Sequence, residues 1–242
     1  MGERAGSTAA WDELSIVRID GARRYKRTDR VIREEAYTLF INDREVHRFA
    51  CTPIDLEELA IGYAFSEGYC NDKQEIQGIT CDRAAQELRL FLKRGDAPPP
   101  AGAVSVEVSL TKNAIYTLWE AFNEQSNLFH ITGAVHAMAV TEGSNVLVLQ
   151  EDVSRYNAVA KAIGKMLLHG IRPEGKALLF SGRLALKLLM MIERTGVRIL
   201  LCHGAVSSGA VRRAEAVGIT LAGFLKRGYM NIYTHSERIS DG

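Results

Sequence analysis

The sequence predicts an α/β protein: a larger, ligand-binding α/β part preceded by a smaller β-rich one. Three observations predict it. Residues 147–170 (LVLQEDVSRYNAVAKAIGKMLLHG) pass from the apolar run 146–149 through Glu151 and Asp152 into a helical pattern. Tyr156, Val159, Ala160, Ile163 and Leu167 give that pattern its i, i+3, i+4 and i+7 spacing. The same strand-to-helix passage recurs twice downstream, the mark of βαβ units and a largely parallel sheet. Short hairpin strands occupy the front of the chain, and the segment GDAPPPAG at 95–102 separates the two parts. Three consecutive prolines there fit neither helix nor central strand. The expected boundaries are 13–100 for the smaller α+β domain and 103–242 for the larger one.

In chain order, residues 1–12 read as loosely attached, and 14–19 as a strand. The basic run 21–33 (GARRYKRTDRVIR) shows no period and reads as a solvated loop. Residues 36–41 and 45–50 form a hairpin turning at Asn42 and Asp43. Asp55 is expected to cap a helix, with Glu58 as its capping-box partner, a stripe of Leu56, Leu59, Ala60 and Tyr63, and a stop at Gly68. A second hairpin pairs 75–81 with 86–93. The 111–124 helix carries Ile115, Leu118, Trp119 and Phe122 on one face, which reads as core; any apolar surface left over could support a homodimer. Strands at 136–141 and 145–149 join at Gly143, and Asp152 or Ser154 caps the helix that follows. Strand 176–180 leads through Ser181, Gly182 and Arg183 into a helix ending near Gly196. Strand 197–202 leads through Ser207, Ser208 and Gly209 into a helix ending at Gly218. Strands 219–225 and 230–233 finish the chain.

Composition narrows the function. A formal charge of +1 gives no bulk attraction to nucleic acid or an anionic membrane, so an anionic ligand must be held by local groups. No apolar stretch approaches a membrane span, and the N-terminus lacks an apolar signal core, so a cytoplasmic location is expected. Cys51, Cys70, Cys81 and Cys202 form no CxxC and no zinc-finger spacing, and read as reduced structural thiols.

Three polar clusters fall at the carboxyl ends of expected strands. Ser181, Gly182 and Arg183 would offer free helix amides and a guanidinium fork, a natural phosphate cradle. Ser207 and Ser208 offer the same geometry without a cation. Lys226, Arg227, Gly228 and Tyr229 put two cations beside an aromatic ring, suited to a phosphate and a stacked base. Taken singly, each cluster also reads as an ordinary cap or turn. Together they would share the crevice that open α/β sheets form at strand carboxyl ends. His136, after Thr132 and Gly133, could donate to a phosphate, act as acid or base, or sit satisfied in the core. Glu151 and Asp152 suit helix capping, with metal or acid–base work as the alternative. No Walker loop, GxGxxG or GxSxG occurs. Met138 stands where a zinc deaminase built on His136 would need glutamate, so no metal, and specifically no zinc, is expected.

These segments together resemble the formate dehydrogenase accessory (FdhD/NarQ) family. The resemblance covers 36–234 and rests on INDREVHRFACTPIDLEELAIGYAFSEGY, TGAVHAMAV, EDVSRYNAVAKAIGK, FSGRLALKLLM and GITLAGFLKRGYMNIYT. It implies a cytidine-deaminase-like three-layer α/β/α domain without the deaminase zinc. It also implies a sulfur carrier that takes sulfur from a cysteine desulfurase. The carrier passes it to the molybdenum bis(molybdopterin guanine dinucleotide) cofactor destined for formate dehydrogenase. The family's guanine contact falls on the loop matching Phe224, Leu225, Lys226, Arg227, Gly228 and Tyr229. Three features depart from the family pattern. Its CxxC should lie within 103–116, where this chain reads AVSVEVSLTKNAIY and has no cysteine. Its EDVGRHNAVDK is here EDVSRYNAVAK, with Ser154, Tyr156 and Ala160 in place of glycine, histidine and aspartate. Its TGG is TGA at Ala134. Sulfur relay requires a thiolate. Either another cysteine took over, with Cys202 the first candidate, or the chain binds the cofactor without transferring sulfur.

Overall fold

A computed structural model describes residues 10–93 and 108–241. The chain opens on a two-stranded antiparallel ribbon, β1 (Trp11–Asp20) and β2 (Arg23–Ile32). β3 (Glu35–Ile41), β4 (Arg44–Cys51), β5 (Ile76–Asp82) and β6 (Glu87–Leu92) form a four-stranded sheet in the order β4-β3-β6-β5. Helix α1 (Leu56–Ser66) crosses between β4 and β5. After the short β7 (Leu110–Thr111) come α2 (Lys112–Gln125) and α3 (Asn127–Thr132). Next are β8 (His136–Glu142), β9 (Asn145–Asp152), α4 (Arg155–Leu168) and β10 (Lys176–Phe180). Then follow α5 (Leu186–Glu193), β11 (Ile199–Cys202), α6 (Ser208–Val217), β12 (Thr220–Lys226), β13 (Tyr229–Thr234) and β14 (Ile239–Ser240), which pairs with β7.

The main sheet has six strands in the order β13-β12-β11-β10-β8-β9. Its strands alternate between two cores, as the period-2 geometry of a strand requires. Met138, Val140, Leu178, Phe180, Leu200 and Leu221 face α4, α5 and α6. Ala137, Ala139, Leu179, Ile199, Leu201 and Ala222 face α2 through Ile115, Leu118 and Phe122. Burial on both faces explains why these strands read as unbroken apolar runs. Ile115, Leu118 and Phe122 of the 111–124 stripe are thus buried against the sheet, while Trp119 is only half-buried.

The first core continues without a break through α4 and α1 into Tyr37, Leu39, Leu88 and Leu90 of the four-stranded sheet. The α1–α4 crossing is close because glycines meet backbone there. A Cβ on Gly62 would collide with the Ala160 carbonyl, and one on Gly164 with the Glu58 carbonyl. Charges seal the same junction. Asp152 and Lys161, both fully buried, pair at 2.7 Å. Asp152 also accepts from the Thr52 and Ser154 amides at 3.1 and 2.8 Å, and Lys161 donates to the Thr52 carbonyl at 3.0 Å. Asn157 donates to the Ala50 carbonyl at 2.8 Å. The EDVSRYNAVAK motif therefore grips the turn after β4.

Several expectations are corrected. Residues 21–33 are mostly strand, because a ribbon open to solvent on both faces shows no apolar alternation. Trp11 and Asp12 belong to β1, while 1–9 and the 95–102 linker lie outside the described residues. The sheet is mixed: only β10–β11 and β11–β12 run parallel, since β8–β9 and β12–β13 are hairpins. Asp55 takes a left-handed conformation and caps nothing with its side chain, and Glu58 pairs instead with Lys165 at 2.9 Å. Neither Ser154 nor Asp152 caps α4 with its side chain; Ser154 holds the cap position without a side-chain bond. No helix among the described residues is long and apolar enough to cross a membrane.

Candidate functional site

The carboxyl ends of β10, β11 and β12 lie side by side, and β8, running the other way, brings its first residue to the same edge. That residue is His136. Ser181 follows β10 directly and locks it to β8: its amide donates to the Ala137 carbonyl at 3.0 Å, and its hydroxyl accepts from the Ala137 amide at 2.9 Å. His203 follows β11; its Nδ1 donates to the Leu225 carbonyl at 2.8 Å, which puts the ring proton there. Trp119 of α2 stacks on His203 with centroids 4.6 Å apart and planes at 17°. His136, Ser181, His203 and Trp119 line a cavity of about 450 Å3 together with Phe129 and Asn123.

The turns beneath it are packed backbone to backbone. A Cβ on Gly204 would strike Gly182 and the Arg183 amide, and one on Gly182 would strike the Phe180 ring. The Phe224 amide donates to the Gly204 carbonyl at 3.2 Å, and Leu184 bridges to Val206 in parallel. The turns after β10 and β11 therefore adjoin, and the base of the 224–229 loop reaches the second of them through Phe224.

Electrostatics centre on His136. Burial pushes its proton affinity down, Arg155 and then Arg183 push it further, and Asp152 opposes them. Both guanidinium groups thus disfavour the charged imidazole, an effect that a bound anion would oppose. Arg183 is the cation expected from the sequence. Arg155 is not. It opens α4, where the helix dipole disfavours a cation, and that misfit was the signal that could have found it.

The expected residues are distributed unevenly. His136 and Ser181 line the cavity. Gly182 and Arg183 adjoin it, but not as a helix end: α5 starts at Leu186, so no helix amides converge on Ser181. Ser207 does cap α6, its hydroxyl accepting from the Ala210 amide at 3.2 Å. Its own amide donates to the Leu184 carbonyl, and neither it nor Ser208 lines the cavity. The loop 224–229 is a tight turn, with Lys226 paired to Tyr229 across Arg227 and Gly228. Lys226 lies 5.1 Å from the Tyr229 ring centre. Arg227 is 87% exposed and pairs with Glu120 of α2 at 3.3 Å. Leu225 is buried, whereas Phe224 and Tyr229 are exposed.

Glu151 proves structural: it caps α3, accepting from the Leu128 and Phe129 amides at 2.9 Å each. Cys202 is fully buried in the α4–α6 core, and burial pushes its thiol up. Its side chain does not reach the crevice lining. Burial also pushes Cys51 and Cys70 up to about 12, and raises the half-buried Cys81.

Comparison with known proteins bears on this geometry. The sequence profile of the FdhD/NarQ family matches residues 32–101 and 94–240. The sulfur carrier protein FdhD of Halalkalibacterium halodurans is 34% identical over 242 residues, 88% of this chain and 89% of that one. FdhD of Bacillus subtilis is 30% identical over 240 residues, 88% and 91% of the two chains. A crystal structure from Desulfotalea psychrophila, described as a formate dehydrogenase accessory protein, superposes with a TM-score of 0.85. That match covers 96% of this chain and 100% of the other at 24% identity, a likeness of fold.

Proposed function

The chain belongs to the FdhD/NarQ family, and from that premise we propose that it serves formate dehydrogenase maturation by binding the molybdenum bis(molybdopterin guanine dinucleotide) cofactor as cargo. One observation carries the reading: His136 and Ser181 line a cavity at the strand ends that also launch the basic, aromatic turn 224–229, and Arg155 and Arg183 lower the proton affinity of His136 after burial does. Phosphates suit Arg183, Arg155 and Lys226, and a base suits the exposed rings of Phe224 and Tyr229. The cytidine-deaminase-like description belongs to this proposal. It is supported by the placement of β8 between β9 and β10, with α2 on one face and α4–α6 on the other. Four unbonded thiols suit a reducing cytoplasm. Titration calorimetry tests the proposal. GDP should bind and ATP should not, and Arg183→Ala should weaken GDP about tenfold or more, a lost charge-assisted contact. Heat from ATP and none from GDP would sink it.

The relatives' names describe a sulfur carrier, which would draw sulfur from a cysteine desulfurase. A second reading is a cofactor chaperone that relays no sulfur, and it turns on the thiols. All four have raised proton affinities, and none lines the cavity. After treatment with a cysteine desulfurase and cysteine, cyanide should then release no more thiocyanate from this chain than from its variant with all four cysteines replaced. Release abolished by one single cysteine replacement would restore the carrier.

A further inference from the structure

The β1–β2 ribbon plays no part in the crevice, and its outer edge is unfinished. Its ten pairs run from Trp11 and Ile32 to Asp20 and Arg23 without a bulge. Among the described residues it is a sheet of two strands only, and the body meets it chiefly through β2, which packs against α3. The Arg33 amide donates to the Ala10 carbonyl at 2.8 Å, which fixes the phase of the ladder. Asp12, Leu14, Ile16 and Arg18 therefore turn their backbone groups to β2. Glu13, Ser15, Val17 and Ile19 turn theirs outward, where no described strand receives them. Edges of this length usually carry a proline, a bulge or a row of charge that keeps other strands off. β2 has the charge, with Arg23, Arg24, Lys26, Arg27 and Arg30. β1 has no proline and no bulge, and its middle, Leu14, Ser15, Ile16 and Val17, has no charge. Leu14, Val17 and Ile19 are exposed.

This edge is complementary to itself. A two-fold axis joins β1 to the β1 of a second copy only where one residue faces its own counterpart. With Ser15 on the axis, Leu14 would meet the partner's Ile16, Trp11 the partner's Ile19 and Asp12 the partner's Arg18. Symmetry makes each of these contacts twice. Asp12 is held by Arg33, yet its side chain stays 44% exposed and can take a second cation. Glu13 is already answered by Arg30 within the ribbon, and Asp20 lies opposite Arg23. Moving the axis by one residue, to Ile16, would set Asp12 against the partner's Asp20 and Leu14 against the partner's Arg18. Charge thus selects the register centred on Ser15. Joining β2 to β2 would instead bring the two basic rows together.

We propose that the chain associates with a second copy of itself through this edge, the two ribbons forming one four-stranded antiparallel sheet in the order β2-β1-β1-β2. The outward amides and carbonyls of Glu13, Ser15 and Val17 find partners in the second copy, and Leu14 and Ile19 leave water for apolar neighbours. A contact of one strand on each side is smaller than the interface of a permanent dimer, so the association is reversible and depends on concentration.

Sedimentation velocity on the full chain should show monomer passing into dimer as concentration rises. Val17→Pro removes one outward amide and spares the bonds between β1 and β2, and Arg18→Glu sets a carboxylate against the partner's Asp12. Each should weaken association about tenfold or more. Ser15→Cys should yield a covalent dimer under mild oxidation, since residues facing each other across an antiparallel pair stand about 5.5 Å apart. Thr28→Cys, opposite Ser15 on β2 and also exposed, should not, because its counterpart would lie three strand spacings away, about 14 Å. A monomer at every concentration would overturn the proposal and leave the edge open to a strand of a different protein. A dimer indifferent to both Val17→Pro and Arg18→Glu, or Thr28→Cys linking as readily as Ser15→Cys, would put the contact elsewhere and overturn it too. Val17→Pro should bind GDP as the parent chain does, so failure of the cofactor reading and failure of this one show separately.

Discussion

Lys161 and His136 show how single side chains divide between holding the molecule and serving it. Lys161 carries a full charge with no exposed surface, tolerable only because Asp152 and the Thr52 carbonyl surround its ammonium. Removing one partner strands the other charge in the interior. Lys161→Met should therefore cost about 3–5 kcal/mol in urea unfolding. Adding Asp152→Asn should recover part of that loss, because the stranded charge goes with it. Additive losses in the double variant would mean the two residues do not act as a pair. His136 behaves differently. Its folded proton affinity is below that of a free histidine, so between the two values the unfolded chain binds more protons than the folded one. Its contribution to stability is then complete above the ordinary value of about 6.5 and fades as pH falls through the lower folded value. A bound anion should reverse the bias. Proton NMR of His136 should show titration below the ordinary histidine range in the free protein and an upward move with GDP. An unmoved titration would mean the anion sits elsewhere.

Between elements, the decisive contact is the α1–α4 crossing. Helices this close need glycine at the contact, and both helices supply one, Gly62 and Gly164. Either glycine replaced by alanine must push the axes apart and reopen the core beneath. The cost should be about 2 kcal/mol or more, within the range for overpacked cores, and readable as a lower unfolding midpoint. An alanine at Gly133 meets no atom within 4 Å but is strained by its positive φ of 67°, so its cost should come from the backbone alone. This crossing was hidden in the sequence, where a helix-interior glycine looks like a weakness. What the sequence did reveal follows from periodicity. α2, α4 and α6, the hairpins β3–β4 and β5–β6, and the strands of the main sheet all bury one stripe or run continuously apolar. β2 escaped because its alternate residues all meet water, and Arg30 simply pairs with Glu13 across the ribbon at 3.4 Å. The start of α5 escaped because Ser181 and Gly182 look like a helix cap. The Ser181 hydroxyl is instead consumed by the Ala137 amide. Of the site, His136, Arg183 and the 224–229 turn were legible as chemistry at strand ends. Trp119 and His203 were not, since an aromatic on an apolar stripe and a histidine beside a cysteine both look like packing.

At the scale of the whole chain, composition and the proline segment suggest two domains, 13–100 and 103–242, whereas the packing joins them. The core that lies under α4, α5 and α6 is the same core that fills the four-stranded sheet. The turn after β4 is held by Asp152, Asn157 and Lys161 from the other side of the proposed boundary. Separating the parts would expose the apolar faces of α1 and α4 and break the buried charge pair's bonds to Thr52. Neither part then has reason to survive the loss of the other, so heat should unfold the chain in one transition whose calorimetric and van't Hoff enthalpies agree. The same reasoning makes Lys161→Met lower that single midpoint rather than split it. Two resolved transitions, or residues 13–100 alone folding with native-like cooperativity, would show that the interface joins finished domains.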